Sequence, residues 1–134
     1  MTKNDRDTTL AEIKKLPIEF CKERGWQYNQ TPKGLAISIS LEAAELLEHF
    51  QWTDYNEKDL PEITSELADV LIYCLELSDM LDIDIATAIK EKLNKAAEKY
   101  PIEAFNGDRA ADFETYRKLK LDHRKSKRNN NDAR

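Results

Sequence analysis

Glu42 and Glu45, then Glu66 and Asp69, form two acid pairs, each separated by three residues, with twenty residues between the pairs. On a helix that spacing puts both members of a pair on one face. Each pair sits in a longer polar stripe. Ser38, Glu42, Glu45, His49 and Trp52 keep steps of 4, 3, 4 and 3, and Glu62, Glu66, Asp69, Tyr73 and Glu76 keep the same rhythm. Both stripes run beside apolar residues, Ile39, Ala43 and Leu46 on the first, Ile63, Leu67, Val70 and Leu71 on the second. They are therefore expected at the edge of a buried helix face. If the two edges meet, four carboxylates converge, and bare carboxylates that close repel one another and resist desolvation. A cation resolves the conflict. The donors are hard anionic oxygens, which favour Mg²⁺ or Mn²⁺ over zinc or copper. Two divalent ions balance four carboxylates and leave little charge to repel a polyphosphate, so the metals can bridge acid and substrate. The same spacings occur on exposed acidic helices. The residues alone thus leave open a solvated face, or a non-catalytic helical interaction module that holds a structural metal or a basic partner.

Other chemistries find less support. Cys21 and Cys74 form no C-x-x-C, which argues against a disulfide scaffold or a thiolate zinc site and for a reducing cytoplasm. Neither His49 nor His123 follows a Glu at the spacing of a di-iron carboxylate site. Ser38 and Ser40 have no adjacent His and acid, and the three glycines are isolated, so neither a nucleophilic serine nor a phosphate-cradling loop is indicated. His49 reads as a rim histidine, and Glu48 and Glu76 as solvated or supporting acids.

The elements that must position these residues are helices. With 3 Gly and 4 Pro among 134 residues, and 35% charged against 40% hydrophobic, an all-α domain is expected. A first helix within residues 8–25 is kinked or split at Pro17 and ended by Gly25. Residues 26–32 form an ordered loop. The second helix runs from Lys33 to about Phe50 on the stripe Leu35, Ile39, Ala43, Leu46 and Phe50, and the third from about Leu60 to Met80 with Pro61 in its first turn. A fourth, capped by Asp82 or Asp84, carries Ala86, Ile89, Leu93 and Ala97 and stops at Tyr100-Pro101. A short terminal helix is expected over residues 112–125. Short loops imply antiparallel neighbours and a four-helix bundle, closed within one chain or between two.

The run from Trp26 to Trp52, ending Ser40-Leu-Glu-Ala-Ala-Glu-Leu-Leu-Glu-His-Phe-Gln-Trp52, together with Glu66-Leu-Ala-Asp-Val-Leu-Ile-Tyr73, resembles the all-α nucleoside triphosphate pyrophosphohydrolases of the MazG-like superfamily, and within it the dCTP pyrophosphatase branch. The superfamily pattern E-x-x-E, spacer, E-x-x-D falls on Glu42, Glu45, Glu66 and Asp69. With Lys92-Leu and Tyr100-Pro101, the resemblance covers about residues 8–105. It implies Mg²⁺-dependent hydrolysis of a (deoxy)nucleoside triphosphate to the monophosphate and pyrophosphate, as nucleotide-pool house-cleaning, with those four acids as catalytic and metal-binding residues. It also implies that Trp26 and Trp52 flank the base, that Tyr73 lies nearby, that Lys92 and Lys99 meet phosphates, and that the enzyme is a homodimer or homotetramer. Which acid takes the proton stays open, with Glu45 the first candidate. The chain departs from the branch at Gln30-Thr-Pro-Lys-Gly34, where relatives carry a His and an Asn, and at Ala96, where an Asn is usual. Gln30 therefore replaces a polar group near the expected nucleotide pocket, and base preference is the property least transferable.

Charge divides the chain. Residues 117–134 hold eight Lys/Arg and two Asp, whereas residues 1–116 carry 13 basic and 24 acidic groups, or -11. So acidic a body is a poor nucleic-acid platform, and the tail is expected to be flexible rather than a binding arm. The expected organisation is a pyrophosphohydrolase domain over 1–106 and a C-terminal extension over 107–134. No uncharged apolar stretch approaches the roughly 18 residues of a membrane span, and Met1–Asp7 lack the pattern of a leader. A soluble, unprocessed, cytoplasmic protein is expected.

Overall fold

The computed structural model describes residues 4–132. Met1 to Lys3 of the expected leaderless N-terminus, and Ala133 and Arg134 of the basic tail, lie outside the described residues. The fold is all-α: α1 (Leu10–Glu23), α2 (Pro32–Glu48), α3 (Leu60–Met80), α4 (Ile85–Lys99) and α5 (Arg109–Asp132), with single 3₁₀ turns at Trp26–Tyr28, Glu57–Asp59 and Ile102–Ala104. It divides into two compact units, one ending at Ile85 and one beginning at Ala86.

In the first unit, local chemistry sets the helix ends. Thr9 opens α1 with a capping box: its hydroxyl accepts from the Glu12 N–H at 3.2 Å, and the Glu12 carboxylate accepts from the Thr9 N–H at 2.8 Å. Gly25 closes it in the left-handed region at φ 67°, its N–H donating to the Lys22 carbonyl at 3.1 Å. Of the expected kink or split at Pro17, the split is absent, since α1 runs through it. The buried proline ring packs against the rest of the unit, and that burial offsets the backbone hydrogen bond a proline cannot donate. The 3₁₀ turn at Trp26–Tyr28 lies within the expected loop, and Thr31 caps α2 by accepting from the Gly34 N–H at 3.0 Å, with Pro32 in the first turn.

α2 ends at Glu48, two residues before the expected end, because the chain tightens there: Phe50 donates to the Leu47 carbonyl, three residues back, at 2.9 Å. His49, the C-cap with helical φ −66° and ψ −18°, keeps its place at the end of the stripe, whereas Trp52 leaves it and stands 87% exposed on the connection to α3. α3 follows its expected bounds and is the hub, packing on both α1 and α2. Lys14 Nζ donates to the Ile83 carbonyl at 3.2 Å and Cys21 Sγ to Glu76 at 3.1 Å, a register in which α1 and α3 run antiparallel.

In the second unit, Tyr100 and Tyr116 stack at 5.1 Å. Asp112 gathers the N–H groups of Asn106 and Gly107 at 3.0 and 2.8 Å, and Asp108 accepts from the Ala111 N–H at 2.8 Å to cap α5. α5 is longer than the expected 112–125. No Gly or Pro follows Gly107, and the run is rich in Lys and Arg, which favour helix. No described helix is long and apolar enough to cross a membrane.

Candidate functional site

α2 and α3 form the principal helix pair, and the acidic edges meet along it. Glu42, Glu45 and Glu66 each offer a carboxylate oxygen, and these three atoms lie within 4.8 Å of one another. Asp69 is not one of this trio, but it acts on Glu42. The Glu42 carboxyl is held above the ordinary carboxylate range, first because packing removes water from it and then because Glu45, Asp69 and Glu66 crowd it with like charge. Among the described residues, no Lys or Arg lies within ion-pair distance of these acids. Three oxygens this close, with the charge on one already disfavoured, suit a hard divalent cation, and the absence of nitrogen or sulfur donors disfavours a softer one.

The polar edge of α3 continues beyond the acids. Burial raises the Tyr73 phenol, and the carboxylates of Glu42, Glu76 and Asp69 raise it further, so Tyr73 lies between the trio and a second cluster. In that cluster Glu76, expected to be solvated or supporting, is buried at 6% exposure. The Cys21 thiol donates to its Oε1 at 3.1 Å, and Gln30 Nε2 donates to its Oε2 at 2.9 Å. Burial, followed by the hydrogen bond and the negative charge of Glu76, pushes the Cys21 thiol up, which keeps it protonated as a donor. Spacing placed Glu76 on the right stripe, but only packing reveals that the far end of the stripe is covered by α1.

The remaining sequence candidates fall in three places. Trp26 sits on the 3₁₀ turn with its ring edge-on to Phe20 at 5.7 Å and half exposed, and Arg24 covers the other ring at 3.5 Å. Trp52 lies on the connection after α2. Lys92 and Lys99 belong to α4 in the second unit, where the Lys99 ammonium stands 4.9 Å from the Tyr100 ring centre.

A model of the MazG-like family matches residues 37–111. The dCTP pyrophosphatase 1 of Mus musculus is 31% identical over an alignment of 109 residues that covers 75% of this chain and 64% of the mouse protein. The dCTP pyrophosphatase 1 of Homo sapiens is 32% identical over an alignment of 103 residues that covers 71% of this chain and 61% of that protein. The chain thus spans somewhat less than two thirds of the length of these curated relatives. The crystal structure of a pyrophosphatase from Archaeoglobus fulgidus aligns with a TM-score of 0.63 at 40% identity, covering 75% of this chain and 99% of that one.

Proposed function

The chain belongs to the MazG-like family, and from that premise we propose that it hydrolyses a (deoxy)nucleoside triphosphate to the monophosphate and pyrophosphate in a Mg²⁺-dependent reaction, with Mn²⁺ as a substitute. The observation that carries this reading is the trio of carboxylate oxygens from two helices within 4.8 Å, with no basic side chain among the described residues paired to them. The relatives named dCTP pyrophosphatase 1 and the pyrophosphatase of known structure support the reaction class.

Glu42, Glu45, Glu66 and Asp69 are the residues that hold the ion. When bound, it neutralises the acids and the triphosphate and polarises the phosphate oxygens. The protein's own part is to fix geometry and move one proton. The α-phosphorus gains a bond to the oxygen of an attacking water and loses its bond to the bridging oxygen, so pyrophosphate departs. Glu45, the exposed member of the trio, takes the proton that the water releases. Trp26 holds the base by stacking, worth about 1–3 kcal/mol per base without choosing its identity, with Tyr73 on the α3 edge, and Trp52, at the opposite end of α2, reaches that base from a second copy of the chain. The enzyme acts in the cytoplasm as a homodimer or homotetramer.

Product analysis of a panel of nucleoside triphosphates incubated with Mg²⁺ tests the proposal. The expected outcome is monophosphate and pyrophosphate in equal amounts from at least one member, abolished by EDTA. Release of orthophosphate and diphosphate, or turnover of none, overturns it.

A further inference from the structure

Buried polar groups must be satisfied, and when they are, the partners fix which way a side chain points. Both oxygens of the buried Glu76 are engaged, Oε1 by the Cys21 thiol at 3.1 Å and Oε2 by Gln30 Nε2 at 2.9 Å. Gln30 Nε2 also lies 3.6 Å from Cys21 Sγ, which closes a triangle. A flipped Gln30 amide would set its carbonyl oxygen against the carboxylate and lose both contacts. Glu76 therefore selects one orientation. The Nε2 donors are committed inward, and what Gln30 has left to offer is the acceptor Oε1.

The triangle stands at the end of the same α3 edge that carries the acids. Glu66, Asp69, Tyr73 and Glu76 follow one another at helical steps, and the seven residues from Asp69 to Glu76 span about 10 Å of axis. Trp26 precedes Gln30 by four residues on one connection, with its ring half exposed. A nucleotide whose phosphates lie at the acids would thus carry its base along the edge towards Gln30.

We propose that Glu76 is a positioning residue for base selection: acting through Gln30, with Cys21 as the third corner, it holds Oε1 as a fixed acceptor facing the nucleobase. Bases that present an exocyclic amino group there are accepted, and their oxo counterparts, which set oxygen against oxygen, are rejected. This rests on the hydrolase reading given above. The rhythm of the stripe alone does not contain it, because it depends on the burial of Glu76 and on Gln30 meeting it from another element.

The test compares kcat/KM of the full chain for matched amino and oxo pairs, dCTP with dUTP and dATP with dITP. The wild type is expected to favour the amino member of at least one pair by about tenfold, the value of one hydrogen bond. Glu76→Gln, whose amide can present either atom to Gln30, is expected to bring that ratio close to one, mainly through KM, whereas Cys21→Ser, which keeps a donor, retains it. A merely structural role would lower both members of a pair alike and leave the ratio standing, and that result overturns the proposal. Should Glu76→Gln fail to fold, Gln30→Met decides: a level ratio supports the proposal and an unchanged one overturns it. Turnover of no nucleotide would overturn the hydrolase reading and this inference together, whereas turnover with an unchanged ratio in the variants overturns this inference alone.

Discussion

At Glu42 the repulsion that motivates the metal site becomes measurable. Its carboxyl is raised by desolvation and by Glu45, Asp69 and Glu66, so between its ordinary and its raised value the folded chain binds more protons than the unfolded one. The sign follows: for this group, the metal-free protein gains stability as pH falls through the raised value and loses it as pH rises towards neutrality. Thermal unfolding in EDTA is therefore expected to give a higher Tm for Glu42→Gln than for the wild type at pH 7, with the difference vanishing below the ordinary carboxylate range. Excess Mg²⁺ should reverse the order, since binding to the folded state alone contributes about 2.7 kcal/mol at a hundred times Kd and the variant lacks a ligand. These acids were legible in the sequence because a three-residue step has one geometric meaning on a helix. The burial of Glu76 was not, because the step names a face without naming what covers it. Cys21 gave no signal either, as a lone thiol on an apolar stripe reads as packing.

Among the elements, the caps carry much of the information that periodicity lacks. α3 was legible to the residue, because Leu60-Pro61 opens it and the apolar stripe runs unbroken to Met80. The end of α2 was misplaced, since Phe50 continues the apolar period although the backbone has already tightened into a turn. At Pro17 the local rule allows a kink or a split, and with the proline buried the helix is not split. Two substitutions weigh the caps by denaturant unfolding. Thr9→Ala removes the capping box of α1 and is expected to cost about 1 kcal/mol. Gly25→Ala meets no neighbouring atom but must hold φ 67°, and is expected to cost about 1–2 kcal/mol from backbone strain alone.

For the whole molecule, exposure is the feature that needs an explanation. Among the described residues only Pro17, Cys21 and Leu35 are buried apolar groups, while Leu41, Leu47, Leu67 and Leu71 on α2 and α3 stand between 48% and 62% exposed. A hairpin that leaves so much of its apolar surface in water is poorly stabilised alone, and self-association would remove that surface. Sedimentation velocity is expected to give two or four times the 15.6 kDa chain mass, and Leu47→Glu with Leu71→Glu is expected to shift it towards the monomer. The sequence made the all-helical class legible through its scarcity of Gly and Pro, but helical periodicity cannot separate a face buried within one chain from a face buried between two. The proposed domain over 1–106 has its own check: the full chain and a chain ending at residue 106 should show the same helical signal per residue and the same nucleotide turnover if the extension over 107–134 is dispensable. The most direct measurement for the account as a whole is pyrophosphate release from a turned-over nucleotide by wild type and Glu66→Gln across a Mg²⁺ titration. Loss of one ligand should cost more than the roughly 10–100-fold of an outer supporting residue and raise the Mg²⁺ concentration needed for half activity. A Glu66→Gln enzyme with wild-type turnover and wild-type Mg²⁺ dependence would contradict the claim that the acids of α2 and α3 are the catalytic centre.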